Sequence, residues 1–384
     1  MIRLAIKMLI GNRASFVGVV FGIFLATLLI SQQSAIFLGL ISRSYRTITD
    51  ISAPNIWVMD PATESDERVR GMPEGNVDVV RSIPHVQWAA PINVMYIPLV
   101  IPQSGIFQIA QLYGVDDATL IGAPLHMLEG NIHDLRREGG VIIDVYSAHD
   151  ALATTLADGK KIPLKIGDEL EVNNHHAVVV GICQITQGFY PQPIVFTALH
   201  TYQLFNSFTT NSISFIAVKS KSKTDAQEVC HLINAYPGMQ ALTQEQFKWK
   251  IIDTFLKTGI LINFGLSVAL GFIVGFSIAG QIFYIMTLEN LVYYALIKSV
   301  GGTKKMILQM IIAQALFVGC IGFGLGIIAT LIWGFAIQNT TLAFLFPWQL
   351  LLFTFFLIFL ICLLTATISI SKVFRTDPKM LMGT

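Results

Sequence analysis

Histidine and cysteine, the side chains that most often bind metals or carry out catalysis, occur here without a recognisable site. All eight histidines lie in one polar segment: His85, His126, His133, His149, His175, His176, His200 and His231. No two of them have the spacing of a zinc site on a helix, and His175-His176 falls in a predicted turn. The sequence has no GxSxG motif and no Cys–His pair with a local signature. We therefore expect no catalytic, metal or cofactor site in this chain, and no enzymatic activity.

The four cysteines do not form a disulfide framework. Cys183 and Cys230 lie in the polar segment and could pair outside the cytoplasm, which the sequence leaves open. Cys320 and Cys362 lie in apolar segments, where cysteine packs as a small apolar side chain. The sequence also has no GxxxxGK[ST] motif for nucleotide phosphates. The polar segment is therefore expected to bind something and not to transform it.

Charge divides the chain into two parts that face different surroundings. Of 384 residues, 53% are hydrophobic and 13% are charged, whereas soluble proteins carry about a quarter charged residues. Outside residues 43–257 there are nine Lys/Arg and two acids, and inside that range there are sixteen and twenty-two. Such a division is typical of a membrane protein with one water-exposed domain. We expect membrane lipid around the apolar part and no nucleic-acid partner.

Long uncharged runs predict four membrane helices. Residues 14–42, 258–288 and 306–371 carry no charged side chain, and a bilayer core needs about 20 residues per helix. The last run is long enough for two helices. The first is too long for a signal peptide, whose apolar part has about 7–15 residues, so we interpret it as a retained helix. Lysine and arginine flank the ends that the positive-inside rule places in the cytoplasm, which puts both termini on the cytoplasmic side of the inner membrane.

The predicted fold is an α-helical membrane protein with four transmembrane helices and a mixed α+β extracytoplasmic domain inserted between helices 1 and 2. The predicted parts are a cytoplasmic N-terminal segment with helix 1 (1–42), the external domain (43–257), a stalk with helix 2 (258–288), a cytoplasmic loop (289–305), helix 3 (306–337), a short external loop (338–347), helix 4 (348–371) and a cytoplasmic tail (372–384). In the external domain, alternating apolar residues and turn residues predict strands at 55–60, 141–144 and 214–218, hairpins turned at 102–105 and 173–174, and helices at 76–82, 146–156, 199–205 and 225–236.

The loop between helices 2 and 3 has the pattern of a short helix on which a partner could push. Residues 289–300 form an amphipathic segment with one acid, and the pair Gly301-Gly302 would end a helix there. Leu291, Ala295 and Lys298 are four and three residues apart, so they would share one side of that helix. We predict that they lie on or near a docking face. The alternative is a basic re-entry loop that has no partner.

Glycines four residues apart in the apolar runs predict close helix packing. These pairs are a weak indication of a dimer, because glycine is common in membrane helices. No ionisable residue lies at the centre of a predicted span, so a proton- or ion-driven pathway lacks its usual marker. The glycines are Gly18 and Gly22, Gly271 and Gly275, and Gly322 and Gly326.

The order of these features resembles the MacB/FtsX superfamily of ABC-transporter permeases. The sequence YALIKSVGGT at 294–303 is similar to the family's cytoplasmic signature, an aromatic-Ala-Leu-Leu-Lys-Ala-Ile-Gly-Ala-Thr run that contacts the ATPase. The chain departs from the family just upstream, where Val292-Tyr293 stands in place of Arg-Glu. The resemblance implies that Glu289 takes over part of the role of that acid.

Further segments carry the same resemblance. Residues 114–130 and 164–182 are similar to the family's extracytoplasmic core, and residues 373–381 resemble its terminal Asp-Pro-x-x-x-Leu pattern. The length of the chain, its Val-Asp-Asp segment and the VIID strand at 141–144 look closest to the DevC and haem-exporter branch.

The resemblance implies a mechanical role. A separate ABC ATPase subunit would bind ATP and Mg²⁺, with no cofactor in this chain, and two copies of the chain would assemble with it. ATP hydrolysis would move the external domains and drive export, with a periplasmic membrane-fusion adaptor and an outer-membrane channel as partners. The implied ATPase-coupling residues are Glu289, Leu291, Tyr294, Ala295, Leu296, Lys298, Gly301 and Gly302.

Other functions fit the same resemblance. One is an FtsX-like signalling protein that controls an external hydrolase, and another is a lipoprotein-releasing permease. A receptor without a transport function is a third, although it gives the loop helix no task. The sequence does not reveal the cargo.

Overall fold

The computed structural model describes residues 2–51, 53–155, 160–188, 192–206, 211–222, 224–337 and 342–375. The chain divides into two compact units. One unit comprises Met1–Leu40 and Gly259–Thr384, which we call the membrane unit, and the other is Ile41–Thr258, which we call the external domain.

The described residues form twelve α-helices, whose bounds follow in chain order. They are α1 Ile2–Gly11, α2 Arg13–Ser44, α3 Arg46–Asp50, α4 Asn76–Arg81, α5 Val145–His149, α6 Leu199–Phe205, α7 Ala226–Asn234, α8 Gln244–Lys257, α9 Ile260–Glu289, α10 Leu291–Ser299, α11 Lys304–Ile337 and α12 Trp348–Arg375.

The same residues form fourteen β-strands. They are β1 Ile56–Met59, β2 Met72–Pro73, β3 Val86–Ile101, β4 Ile106–Val115, β5 Met127–Gly130, β6 Gly140–Asp144, β7 Thr154–Thr155, β8 Lys161–Ile162, β9 Glu169–Val172, β10 His175–Cys183, β11 Ile194–Ala198, β12 Ser212–Ile213, β13 Phe215–Ser220 and β14 Gln240–Thr243.

Four helices of the described chain are long and apolar enough to cross a membrane: α2, α9, α11 and α12. Each has at least the roughly 20 apolar residues that a bilayer core requires. The sequence also predicted that residues near Asp253 and Lys257 continue helix 2 outward as one helix, and this continuity is wrong. Gly259 adopts the left-handed conformation, with a φ of +82°, so α8 ends at Lys257 and α9 begins as a separate helix at Ile260. Residues 338–341 of the predicted external loop lie outside the described residues.

All six predicted packing glycines lie where α2 meets α9 or α11 of the same chain. A Cβ atom added at Gly22 would lie 2.8 Å from Ile278 Cγ2, and one added at Gly322 would lie 2.7 Å from Ile23 Cγ2. These faces are therefore filled within one chain, and they give no indication of a dimer. The other four contacts are Gly18 with Ile282, Gly271 with Leu29 and Ile30, Gly275 with Ala26, and Gly326 with Thr27.

A mixed sheet organises the external domain. Its described strands follow the order β14-β1-β13-β3-β4-β11-β6-β10-β5, and β9 pairs with both β10 and β3. Most neighbours are antiparallel, but β11 pairs with β4 and β10 with β6 in parallel. Two apolar clusters form the core of the domain, one around Leu99 and Ile143 and the other around Ile56 and Val229. Mixed α+β structure between the first two membrane helices agrees with the predicted fold.

Two local predictions are wrong. His175 and His176 begin β10 and are not part of the turn, because Asn173 and Asn174 alone supply both left-handed residues of a tight hairpin turn. The predicted helix at 146–156 is only α5, Val145–His149. Its apolar periodicity arises from Leu152, which enters the core from a turn after the helix, and Leu156 lies outside the described residues.

Candidate functional site

The helix predicted to run from 289 to 300 is divided between α9 and α10. Glu289 is the last residue of α9, and therefore does not belong to the short helix. The side chain of Asn290 donates a hydrogen bond of 2.8 Å to the Met286 carbonyl, and its own carbonyl accepts from the Tyr294 amide at 3.2 Å. Asn290 therefore both ends α9 and starts α10.

The two apolar residues that were predicted to dock a partner face the membrane unit itself. Leu291 is 8% exposed and Ala295 is 9% exposed, so neither is accessible to a second protein in this arrangement. The reason is that α10 packs its apolar side on helices of its own chain, and Tyr294 joins the main apolar cluster there. The side chain of Lys298, the third predicted docking residue, lies outside the described residues.

A buried polar contact, which we call the α10 anchor, fastens this face. The Tyr294 hydroxyl donates to Gln314 Oε1 at 3.1 Å, and Gln314 Nε2 donates to the Ala5 carbonyl at 2.8 Å. All three residues are buried, and burial raises the pKa of Tyr294 to about 12, so the hydroxyl keeps its proton. Through Gln314, α11 therefore holds both α10 and α1.

The opposite side of α10 presents large apolar side chains. Val292 is 54% exposed and Tyr293 is 56% exposed, and Leu296 and Val300 are exposed as well. Leu296 lies four positions after Val292 and three after Tyr293, so these three residues lie on one side of the helix, and Val300 directly follows its last residue. We call this set the outer face of α10. Clustered apolar side chains of this kind are typical of contact surfaces.

Two glycines end α10. Gly301 has a φ of +94°, and the Gly302 amide donates to the Ile297 carbonyl at 2.9 Å. This pair of features is a Schellman motif, which closes a helix and turns the chain. The exposed helix is consequently nine residues long.

A polar contact, which we call the α2 cap, joins the beginning of α2 to the end of α9. Asn12 Oδ1 accepts from the Ser15 amide at 3.2 Å, which is the arrangement of a helix N-cap. Asn12 Nδ2 donates to Glu289 Oε2 at 2.5 Å, and the Ser15 hydroxyl lies 3.5 Å from the same oxygen. Glu289 is thus held against α2 by neutral donors.

A cavity of about 930 Å³ opens between α1 and α10. Both walls contribute exposed apolar side chains, and two cations and the Glu289 carboxylate line it as well. The lining residues are Leu4, Lys7, Met8, Gly11, Asn12, Arg13, Glu289, Asn290, Tyr293, Leu296 and Ile297.

The external domain carries a buried charged cluster at the start of its chain, which we call the Arg46 network. The Arg46 guanidinium donates to Gln111 Oε1 and lies 3.8 Å from Asp66 Oδ2. The Tyr113 hydroxyl donates to the same Asp66 oxygen at 3.0 Å, and Thr47 Oγ1 does so as well. Arg46 and Asp66 are almost fully buried, so each depends on the other and on these neutral partners.

No group of three His, Cys, Asp or Glu side chains that could hold a metal occurs within the described ranges. Cys183 and Cys230 are both buried and free. Burial raises the pKa of the Cys183 thiol well above its usual range and that of Cys230 to about 11. Reactive thiolate chemistry is therefore suppressed at both positions.

Comparison with known proteins identifies the family. The profile of the MacB-like periplasmic core domain matches residues 15–236, which is more than half of the chain, and that of the FtsX-like permease C-terminal domain matches residues 265–378. The chain belongs to the MacB/FtsX superfamily of ABC-transporter permeases. Permeases of this superfamily are generally non-catalytic membrane subunits that work with an ABC ATPase and dimerise.

Solved structures similar to this MacB/FtsX-type permease are domains of transport proteins. The extracellular domain of the ABC-type transporter YknZ from Gram-positive bacteria is 15% identical, with a TM-score of 0.36 over 49% of this chain and 99% of that one. The periplasmic region of MacB from Actinobacillus actinomycetemcomitans is 16% identical, with a TM-score of 0.39 over 53% of this chain and 95% of that one. Comparison with the curated proteins finds no match.

Sequence reasoning missed three polar residues of this MacB/FtsX-type permease. Gln314 could have been noticed as an amide inside an uncharged run, where polar side chains usually bond between helices. Asn12 precedes the long uncharged run that begins at residue 14, and Ser15 stands three positions after Asn12, which is an N-cap signal. The outer face of α10 could not have been chosen on sequence alone, because both sides of that helix are apolar.

Proposed function

We propose that this chain is the membrane subunit of an ABC exporter, which couples ATP hydrolysis by a separate ATPase to movement of its external domain. The proposal includes a cytoplasmic α1 and α10, an inner-membrane location and ATP and Mg²⁺ bound by the ATPase. A periplasmic adaptor and an outer-membrane channel complete the proposed export route. Membership of the DevC and haem-exporter branch remains a prediction.

One observation supports the proposal above all others: the outer face of α10 is apolar and exposed, while its inner face is fastened to α11. A helix that only turned back into the membrane would have no need for a buried hydrogen-bonded anchor such as Tyr294–Gln314. A helix that transmits force needs a rigid connection to the membrane helices on one side and a contact surface on the other. The α10 helix has both.

Positive-inside counting supports the orientation. The described parts of the chain place Lys7 and Arg13 beside α10 in one cavity, and cytoplasmic segments are enriched in such residues. The external domain carries the excess of acids. The basic residues beside α10 therefore indicate that α10, the proposed ATPase-binding helix, lies on the cytoplasmic side of the membrane.

Val292→Asp tests the proposal. A carboxylate at the centre of a dry contact costs several kcal/mol, so we expect co-purification of the ATPase with the permease, and ATP turnover of the complex, to fall about tenfold or more. Phe107→Asp is the matched control, because Phe107 is similarly exposed at 59% but belongs to the external domain. Wild-type ATPase binding by Val292→Asp would contradict the proposal. Ala295→Asp is unsuitable, because it would bury a charge and test folding instead.

A further inference from the structure

The geometry points to α1 as the second wall of the ATPase docking site, so that a protruding segment of the ATPase inserts between α1 and α10. This inference rests on the proposed function and adds a partner surface to it. The inserted segment would combine apolar side chains with carboxylates.

The first step is that α1 has a fixed position relative to α10. Ala5 and Leu9 are completely buried and belong to the same apolar cluster as Tyr294 and Met310. The Ala5 carbonyl also accepts the hydrogen bond from Gln314 that completes the α10 anchor. A force on either helix consequently reaches α11.

The second step is the shape of the space between the two helices. The cavity of about 930 Å³ has Leu4 on the α1 side and Tyr293 and Leu296 on the α10 side, and all three are exposed. Two of these residues belong to the outer face of α10, so the cavity and the proposed docking surface are continuous. Exposed aromatic and aliphatic anchors around a pocket are typical of the energetic centre of an interface.

The third step is the charge of the lining. Lys7 and Arg13 are exposed, and within the described part of the chain neither side chain forms an ion pair. Glu289, the carboxylate in the cavity, already accepts from Asn12 at 2.5 Å. The charged groups of the cavity that remain available are therefore the two cations, which complement carboxylates on the occupant.

The lining favours a protein segment over a lipid headgroup. Asn12 and Asn290 contribute amides beside the apolar anchors, and such a mixture of apolar, amide and both kinds of charge is typical of protein–protein interfaces.

The test compares Lys7→Glu with Ile10→Glu in the full-length permease, reconstituted with its ATPase in nanodiscs of neutral lipid and in nanodiscs containing phosphatidylglycerol. Ile10 is exposed on the same helix but does not line the cavity, so Ile10→Glu adds a carboxylate to α1 without touching the site. We expect Lys7→Glu to weaken ATPase binding about tenfold in both lipid mixtures, and Ile10→Glu to stay within about twofold of wild type. A photo-crosslinking amino acid at position 7 should capture the ATPase, and the same group at position 10 should not.

Each other outcome has a defined meaning. If Val292→Asp abolishes binding while Lys7→Glu and the crosslinker at position 7 have no effect, the α1 wall is refuted and the proposed function stands. If all these variants bind normally, both are refuted. If the group at position 7 captures lipid, or Lys7→Glu acts only in phosphatidylglycerol nanodiscs, the cavity is a lipid site and the inference is overturned.

Discussion

The two buried polar networks of the chain, the α10 anchor and the Arg46 network, differ in charge. The α10 anchor consists of neutral groups, Tyr294, Gln314 and the Ala5 carbonyl. The Arg46 network is built around an ion pair, Arg46 with Asp66, both almost fully buried. Removing one partner of a buried ion pair leaves an uncompensated charge, whereas removing a neutral partner leaves only an unsatisfied dipole. The charged network is therefore suited to holding a fold, and the neutral one can be altered in a protein that still folds.

The largest expected effect is on the external domain. Arg46→Met leaves Asp66 buried without its cation, which costs about 3–5 kcal/mol. We expect this loss in the free energy of unfolding of the external domain, followed by tryptophan fluorescence in the full chain in nanodiscs. In Arg46→Met chains that fold, limited proteolysis should also cleave the external domain faster than in the wild type.

Arg68→Met is the control for this prediction. Arg68 pairs with Glu64 at 3.1 Å, and both side chains are substantially exposed, so the expected change is below about 1 kcal/mol. Equal losses of unfolding free energy in Arg46→Met and Arg68→Met would show that burial does not distinguish the two ion pairs. The Arg46 network would then contribute no more to stability than a surface pair.

The sequence predicted most of the fold because its signals are local. An uncharged run of about thirty residues has few alternatives to a membrane helix, and α2 and α9 begin and end close to the predicted bounds. The errors lie where an apolar residue at helical spacing can belong either to the helix or to the turn that follows it. The apolar Leu152 extends the apparent period of α5, although it enters the core from a turn.

The candidate site was less predictable, because the sequence does not say which neighbour covers each side of a helix. Leu291 and Ala295 are apolar and correctly spaced for a docking face, and they were assigned to a partner. In the folded chain its own helices cover them, and Val292 and Tyr293 remain exposed. Glu289 was likewise assigned by sequence proximity, but it is bonded to Asn12, which is 277 positions away.

A smaller effect is expected at the neutral network. Gln314→Leu leaves the buried Tyr294 hydroxyl without an acceptor, at a cost of about 1–3 kcal/mol. The chain should still fold, because no charge is exposed to an apolar environment. Since 1.4 kcal/mol corresponds to a factor of ten, amide hydrogen exchange in α10 should accelerate about tenfold.

Two variants sharpen that result. Gln309→Leu makes the same change on the same helix at an exposed position, and should leave exchange in α10 near the wild-type rate. The double variant Tyr294→Phe/Gln314→Leu removes both partners, and should exchange more slowly than Gln314→Leu because no orphaned hydroxyl remains. A double variant that is additive with its singles would contradict a direct bond.

The smallest effect concerns the α2 cap, where capping and charge can be separated at one position. Asn12 accepts from the Ser15 amide and donates to Glu289. Asn12→Ser retains an N-cap oxygen and adds no charge beside Glu289, so the thermal midpoint should stay close to wild type. Asn12→Asp also retains the cap but sets a carboxylate beside Glu289, so at pH 7 it should destabilise the chain by up to about 1 kcal/mol. Adding Glu289→Gln to Asn12→Asp should remove this destabilisation at pH 7. If Asn12→Asp and Asn12→Ser have equal midpoints at pH 7, Glu289 is not held at the α2 cap, and the bond between Asn12 and the Ser15 amide alone fixes this end of α2.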